Sequence, residues 1–242
     1  MKEVRFFYHP DPTCGILPPE EAQHVARVLR LRADDEIILV DGRGTFYQAL
    51  LTAVSNHSCA YTITATQPQQ PEWQGTIHVG VAPTKHLDRI EWLVEKATEI
   101  GIDTLSFLCT DFSERKVLKT ERLHKIAIAA MKQSHKAWLP RLDEMQSLDS
   151  FLARPDLPRQ RFIAHCYDMD DLGGGPKPFL PTVLQPREPA LVLVGPEGDF
   201  SVAEVRAAHA AGFCSVSLGT SRLRTETAAL VATHILRMNN QP

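Results

Sequence analysis

Two short polar loops near the end of the chain carry the residue types best suited to hold a ligand and act on it. The first, residues 195–198 (Gly-Pro-Glu-Gly), follows an apolar run that begins at Ala190. The second contains Gly219 and Arg224 and leads into Glu226. Glycine lets backbone amides approach a flat ligand closely, and a loop arginine can hold an anion or a carbonyl that gains charge. We expect two walls of one ligand site, with two plain tight turns as the alternative.

The elements around these loops predict a parallel sheet. After residue 74, strand-like and helix-like segments alternate, which favours a mostly parallel sheet with helices on both faces. The expected strands are 77–81, 105–108, 162–165, 190–194 and 216–219, and the expected helices are 88–100, 120–136, 201–211 and a last one from 225. Such sheets bind ligands outside the carboxyl ends of their strands. Ser201 and Glu204 predict a capping box, and Thr225 is the expected N-cap of the last helix.

The first 70 residues have a different, β-rich pattern. Short strands are expected at 4–8, 36–40, 46–54 and 61–65, which favours a small barrel. One helix is expected to begin near Pro18, with an apolar stripe of Val25, Val28 and Leu29. Residues 67–71, rich in Pro and Gln, have the composition of a linker. The sequence therefore predicts two domains, residues 1–70 and 74–242.

Composition excludes several classes of protein. The 242 residues are 43% hydrophobic and 23% charged, with a net charge of -3, as in ordinary soluble globular proteins. Five scattered cysteines, without Cys-x-x-Cys or a histidine cluster, argue against a metal site and favour the cytoplasm. The N-terminus does not resemble a signal peptide, and the apolar runs are too short to cross a membrane. Residues 112–141 are locally basic, which is typical of phosphate contact or of a solvated helix face.

Familiar catalytic signatures are absent from the sequence. Neither loop has the glycine spacing of a Walker or dinucleotide-binding motif, which counts against a nucleotide-dependent oxidoreductase. No Ser-His-Asp order with a nucleophile elbow occurs. His165, near a strand end, could act as a base or could equally be a packed histidine. A non-catalytic RNA-binding protein is a further alternative.

The two loops and their flanks resemble the bacterial 16S ribosomal RNA uridine-N3 methyltransferases of the RsmE type, in the SPOUT superfamily. The specific matches are residues 195–198, Leu218-Gly219 and residues 223–228 (Leu-Arg-Thr-Glu-Thr-Ala). Weaker matches are spread along the chain, at His24 and at residues 28–30, 41–42, 96–101 and 113–115. Residues 132–136 (Lys-Gln-Ser-His-Lys) depart from the Glu-Gln-x-Gly-Arg-like run of the family, although they remain basic.

This resemblance implies more than periodicity does. It implies a C-terminal SPOUT-type α/β domain with a trefoil knot, where periodicity alone predicts an ordinary doubly wound sheet. It also implies a preceding PUA-like β-barrel domain that grips RNA. The implied cofactor is S-adenosyl-L-methionine, and the implied assembly is a homodimer whose active site lies at the subunit interface. The implied substrate is 16S rRNA within the small ribosomal subunit or its precursor, with 23S rRNA or tRNA as alternatives.

The resemblance also assigns site residues. The expected catalytic residues are Arg224, as charge stabiliser, and Glu197 or Glu226, as proton acceptor. The expected cofactor-binding residues are Leu193, Val194, Gly195, Pro196, Glu197, Gly198, Leu218, Gly219, Leu223, Arg224, Thr225 and Ala228. The expected RNA-binding residues are Arg5, His24, Arg27, Arg30, Arg32, Lys85, Arg115 and Lys116. No metal or membrane is expected.

Overall fold

The computed structural model describes residues 5–168 and 176–241. The chain forms two compact units. The first unit contains the chain up to residue 71 together with residues 128–139, and the second contains residues 72–127 and the chain from residue 140. The glycine-rich residues 170–175, whose composition predicts a loop, lie outside the described residues.

The first unit is built on a curved four-stranded sheet. Its strands, in spatial order, are β1 (Phe6–Tyr8), β2 (Glu36–Val40), β3 (Thr45–Val54) and β4 (Cys59–Pro68). β1 and β2 are parallel and the other pairs are antiparallel. The chain after β1 also bonds to β4, because Leu17 N–H donates to the Cys59 carbonyl at 2.9 Å. The sheet therefore wraps a core that includes Phe7, Leu39 and Leu51.

The helix of this unit changes from α-helical to π-helical winding after its first five residues. α1 (Pro19–Gln23) continues directly into a π-helical stretch, His24–Leu29. The wider i→i+5 turn shifts side chains around the axis. As a result Val25 is buried, but Val28, which the sequence placed on the same apolar stripe, is 68% exposed. That part of the helix prediction is wrong.

Residues 128–139 have their partners within the first unit, which the sequence analysis did not foresee. Lys132 Nζ lies 2.5 Å from Oε1 of the buried Glu21. The His135 ring stacks on Phe6 with centroids 4.3 Å apart. These are residues of the segment that departs from the RsmE pattern, and here they hold the segment against the β-rich unit.

The second unit is a parallel seven-stranded sheet. Its strands are β5 (Ile77–Val81), β6 (Thr104–Cys109), β7 (Arg141–Leu142), β8 (Gln146–Ser147), β9 (Gln160–Ala164), β10 (Ala190–Val194) and β11 (Cys214–Val216). The spatial order is β11-β9-β10-β5-β6-β7, and β8 pairs with β6. All pairs are parallel. The central strands β5 and β10 are buried along their whole length, as parallel strands covered on both faces require.

Helices alternate with these strands along the chain, as the sequence predicted. They are α2 (Leu87–Ile100), α3 (Glu121–Gln133), α4 (Leu148–Leu152), α5 (Leu180–Val183), α6 (Val202–Ala210) and α7 (Thr225–Asn239), and the last residues of α3 belong to the first unit. Leu191 and Leu193 of β10 pack in one cluster with residues of α4 and α6. Helix α7 contacts α2, β5 and β10. No helix in the described ranges is long and apolar enough to cross a membrane.

Candidate functional site

The carboxyl ends of three central strands lie level with one another. Val194, the last residue of β10, pairs with Val81 of β5 on one side and with Ala164 of β9 on the other. The loops that follow these strands therefore leave the sheet at one edge, which we call the carboxyl edge. The loops after β10 and β11 lie on either side of β9. The sequence predicted this juxtaposition from the parallel order alone.

The loop after β10, residues 195–200, forms a tight turn. Gly195 and Pro196 are buried, whereas Glu197 and Gly198 are exposed. Asp199 adopts a left-handed conformation with φ +67, which Asp tolerates better than most residues. Its Oδ2 accepts the Cys166 N–H at 2.7 Å. Sequence reasoning missed this residue, which ties the loop to the chain after β9.

Helix α6 begins as the sequence predicted. Ser201 and Glu204 form a reciprocal capping box, and Phe200 is buried in one cluster with Val205. Two further contacts were not predicted: Glu204 Oε1 accepts the Asp111 N–H at 2.8 Å, and the Ser201 hydroxyl lies 2.7 Å from Asp111 Oδ2. The cap therefore also fixes the loop that follows β6.

The loop after β11 leads into α7. Gly219 has φ +131, and a Cβ there would meet no atom within 4 Å, so the space beside it is open. Ser217 Oγ accepts the Gly219 N–H at 3.1 Å. The N-cap of α7 is Arg224 rather than the expected Thr225, which is the first helical residue and is buried. The Arg224 side chain is exposed at this helix start.

The two candidate carboxylates have very different surroundings. Glu197 is exposed, and its Oε1 accepts the backbone N–H of Lys85 at 3.2 Å. Glu226 is 7% exposed, and its Oε1 lies 3.8 Å from Nε of Arg89 on α2. Its Oε2 is buried and has no hydrogen-bond partner among the described residues. Only Glu197 is open to a large ligand as the structure stands.

His165 is a packed histidine at the end of β9. Its Nε2 lies 2.7 Å from the Ser215 hydroxyl, which also contacts Nε2 of His209 at 2.7 Å. Burial lowers the pKa of His165 to about 4, and the positive charge of Lys177 acts in the same direction. The ring is therefore neutral near pH 7 and bonded within the unit, which matches the structural alternative raised for it.

The basic candidates of the second unit lie in two adjoining loops. Arg115 donates from Nε to the Thr84 carbonyl at 3.1 Å and from Nη2 to the Lys85 carbonyl at 2.6 Å. Lys85 Nζ is 2.9 Å from Glu114 Oε2. Lys85, Arg115 and Lys116 line a cavity of about 290 Å³. The guanidinium of Arg115 thus shapes this cavity as well as lending it positive charge.

The basic candidates of the first unit are mainly exposed. Arg5, Arg27, Arg30 and Arg32 are open to solvent, and His24 is half-buried with Nδ1 3.9 Å from Glu21 Oε2. Within residues 5–168 and 176–241, no group of three or more His, Cys, Asp or Glu side chains could hold a metal ion.

Fold and site together define an α/β protein that presents two glycine-bearing loops at the carboxyl edge of a parallel sheet, next in sequence to a small β unit. The family model of the RNA methyltransferase domain matches residues 71–237, and that of the RNA methyltransferase PUA domain matches residues 17–63. The chain therefore belongs to this family of RNA methyltransferases.

Solved and curated relatives support this membership over nearly the whole chain. A probable rRNA methyltransferase from Porphyromonas gingivalis is 40% identical, with a TM-score of 0.89 over 97% of this chain and 99% of that one. The ribosomal RNA small subunit methyltransferase E of Neisseria gonorrhoeae, solved with S-adenosyl methionine, is 25% identical, with a TM-score of 0.84 over 98% of both chains. The enzyme of the same name from Bacillus subtilis is 28% identical over 88% of this chain and 85% of its own length.

Proposed function

We propose that this chain transfers a methyl group from S-adenosylmethionine to N3 of a uridine in 16S rRNA, within the small ribosomal subunit or its precursor. The observation that carries the proposal is the pair of polar loops at the carboxyl edge, in a chain of the RNA methyltransferase family. The names of its relatives support the substrate class, and a relative solved with S-adenosyl methionine supports the cofactor. The enzyme acts in the cytoplasm as a homodimer.

The cofactor is held by the two loops, mainly through backbone groups. The open space beside Gly219 suits a flat ligand that approaches the main chain closely, and Gly198 on the other loop is exposed. The residues that would hold it are Leu193, Val194, Gly195, Pro196, Glu197, Gly198, Leu218, Gly219, Leu223, Arg224, Thr225 and Ala228. When bound, the cofactor supplies a methyl group on a sulfonium.

The proposal includes a trefoil knot in the second domain, residues 74–242. Two observations support it. The chain leaves β10, passes β9 to reach β11, and then returns in α7 to pack on β5. On that path, the Leu180 N–H bonds to the Ser217 carbonyl at 2.9 Å, so the segment before β10 lies beside the loop after β11.

The proposed chemistry follows from the acidity of the target nitrogen. N3 of uracil is an imide nitrogen that carries a proton near neutral pH, so the site needs a base and a group that stabilises charge on O2 and O4. Arg224, exposed at the start of α7, stabilises that charge. Glu197, exposed on the first loop, accepts the proton. Glu226 faces Arg89 and fixes the start of α7.

RNA is held by basic groups of both domains. The first domain, residues 1–70, contributes Arg5, His24, Arg27, Arg30 and Arg32. The second contributes Lys85, Arg115 and Lys116. Such contacts fix the position of the backbone, and the choice of uridine depends on other contacts.

The test is single-turnover methylation of small ribosomal subunits from cells that lack this gene, with the methylated nucleotide identified by mass spectrometry. Arg224→Ala should lower the rate by about 100-fold or more, with circular dichroism and thermal denaturation used to confirm a folded protein. Glu197→Gln should lower the rate by about 100-fold, and Glu226→Gln should lower it less.

The proposal can be overturned at three levels, namely the role of Arg224, the substrate and the activity. Normal single-turnover methylation by Arg224→Ala would refute its role. Methyl transfer only to tRNA or to 23S rRNA would refute the substrate. Binding of a nicotinamide cofactor in place of S-adenosylmethionine, or RNA binding by the wild type without methyl transfer, would refute the activity.

A further inference from the structure

The loop after β6 holds an aromatic ring half in solvent at the carboxyl edge. Phe112 is 50% exposed. The Phe112 side chain packs against Gly198 in the loop after β10. A Cβ added at Gly198 would lie only 3.0 Å from Cβ and 3.9 Å from Cδ2 of Phe112. Gly198 is one of the residues expected to hold the cofactor. Phe112 therefore belongs to the candidate site, although no sequence pattern singled it out.

Hydrogen bonds on both sides of Phe112 hold its backbone in place. The preceding residue, Asp111, is fixed to the α6 capping box through Glu204 and Ser201. The following residue, Ser113, is buried, and its N–H and hydroxyl bond to Thr110 at 3.1 and 3.0 Å. These bonds fix the backbone position from which the Phe112 side chain projects. An aromatic ring that is half exposed at a fixed backbone position offers an apolar face to a partner.

The charges beside Phe112 indicate the chemistry of that partner. Three basic residues of the same and the adjoining loop, Lys85, Arg115 and Lys116, line the cavity of about 290 Å³, with Glu114 as the one acid among the lining residues. Phe112 does not line this cavity, but it precedes Arg115 and Lys116 in the same loop. An aromatic platform close to basic side chains is a usual means of binding single-stranded nucleic acid, because bases stack on the ring while cations contact phosphates.

We propose that Phe112 is a substrate-binding residue on which a base of the single-stranded RNA segment stacks, beside the loop that holds the cofactor. This inference rests on the proposed function and adds a contact to it. A target base must leave its own stack to reach the cofactor, and stacking of an RNA base on the exposed Phe112 ring offsets part of that loss. Phe112 thereby sets the position of the segment, while the basic side chains hold its phosphates.

The test uses the full-length protein and a single-stranded, uridine-containing RNA oligonucleotide carrying 2-aminopurine as a fluorescent base. Phe112→Ala and Phe112→Leu should each raise the Kd by about 10-fold, because both lack the ring. They should also reduce the change in 2-aminopurine fluorescence on binding. Phe112→Tyr keeps the ring and should bind as the wild type does. Met238→Ala, on α7, is the control for an exposed apolar side chain without a ring, because Met238 is 53% exposed and does not line the cavity of about 290 Å³.

Salt dependence separates stacking from charge. Phe112→Ala should shift the plot of log Kd against log salt without changing its slope, whereas Lys116→Ala should reduce the slope by about one. Equal RNA affinity and fluorescence for Phe112→Ala and wild type would overturn the inference. The inference would also be overturned if Phe112→Ala dissociated into monomers in sedimentation while its residual dimer bound RNA as tightly as the wild type. The ring would then contact a second copy of the chain and not RNA. RNA binding by the wild type without methyl transfer would instead refute the proposed function and leave the stacking test intact.

Discussion

The two edges of the parallel sheet use polar residues in opposite ways. At the amino edge, polar side chains bond to one another in a continuous chain. His78 Nε2 lies 2.8 Å from the Ser106 hydroxyl, which donates to Asp143 Oδ2 at 2.6 Å. Asp143 also pairs with Arg154 at 2.7 Å, and Arg154 pairs with Asp156. These five side chains therefore have their polar atoms bonded to one another.

At the carboxyl edge, hydrogen bonds join one loop to the next and leave functional groups outside. Asp199 and Asp111 connect three loops, while Glu197, Arg224 and Phe112 remain exposed. A cavity of about 460 Å³ lies at the amino edge, lined in part by His78 and Arg141. Its size exceeds that of the cavity beside the functional loops, so volume alone is a poor guide. The candidate site is therefore marked by exposed side chains on loops whose backbones are bonded to one another.

The largest expected difference between the edges is in stability. Asp143→Ala should lower the free energy of unfolding by about 3 kcal/mol, because Arg154 and Ser106 both lose a largely buried, charged hydrogen-bond partner. Urea denaturation measures this. The variant should keep normal methyl transfer where it is folded, whereas Arg224→Ala should lose the activity and keep the stability. A folded Asp143→Ala protein without activity would contradict this contrast, because the amino edge would then be needed for methyl transfer as well as for stability.

Much of the fold was predictable because it follows local rules. The strands 77–81 and 190–194 have the bounds that their apolar runs predicted, and Ser201 and Glu204 form the expected cap. Both depend only on neighbouring residues. The edge at which the loops lie followed from parallel order. The roles of Arg224 and Glu197 stay predictions, because geometry places these side chains without testing their chemistry.

What the sequence could not predict depends on distant contacts. Residues 128–139 join the first unit because of partners more than a hundred residues away, such as Glu21 for Lys132. The exposure of Val28 follows from a π-helical turn that leaves no mark on apolar spacing. Phe112 was missed because a single aromatic residue in a loop belongs to no periodic sequence pattern. Its place in the candidate site depends on its contact with Gly198, on another loop.

The amino edge should also lose stability in mild acid. Burial lowers the pKa of His78 to about 4, an effect that Asp143 opposes only in part. Unfolded histidine titrates near 6.5, so below that pH the unfolded chain binds a proton that the folded chain does not. Stability therefore falls from pH 6.5 to pH 4 and then levels off. At pH 5 this one group accounts for about 2 kcal/mol.

Denaturation at pH 7 and pH 5 tests this. In His78→Gln the loss between the two pH values should be about 2 kcal/mol smaller than in the wild type. His57→Gln, an exposed residue of the first unit, is the matched control and should behave as the wild type. If the free energy of unfolding depended on pH equally in His78→Gln and wild type, the chain of bonded side chains at the amino edge would not hold His78 as a neutral imidazole.

The smallest effect tests whether the carboxyl edge depends on its loop-to-loop bonds. Ser201→Ala removes the N-cap of α6 and the bond to Asp111, and should cost about 1 kcal/mol. Ser147→Ala removes the N-cap of α4 and should cost a similar amount. Only Ser201→Ala should speed hydrogen exchange at the Asp111 and Ser113 amides and weaken RNA binding, because only that cap fixes the backbone around Phe112. Equal exchange in the two variants would mean that Phe112 is positioned without the capping box, and that rigidity at this edge comes from the Thr110–Ser113 turn alone.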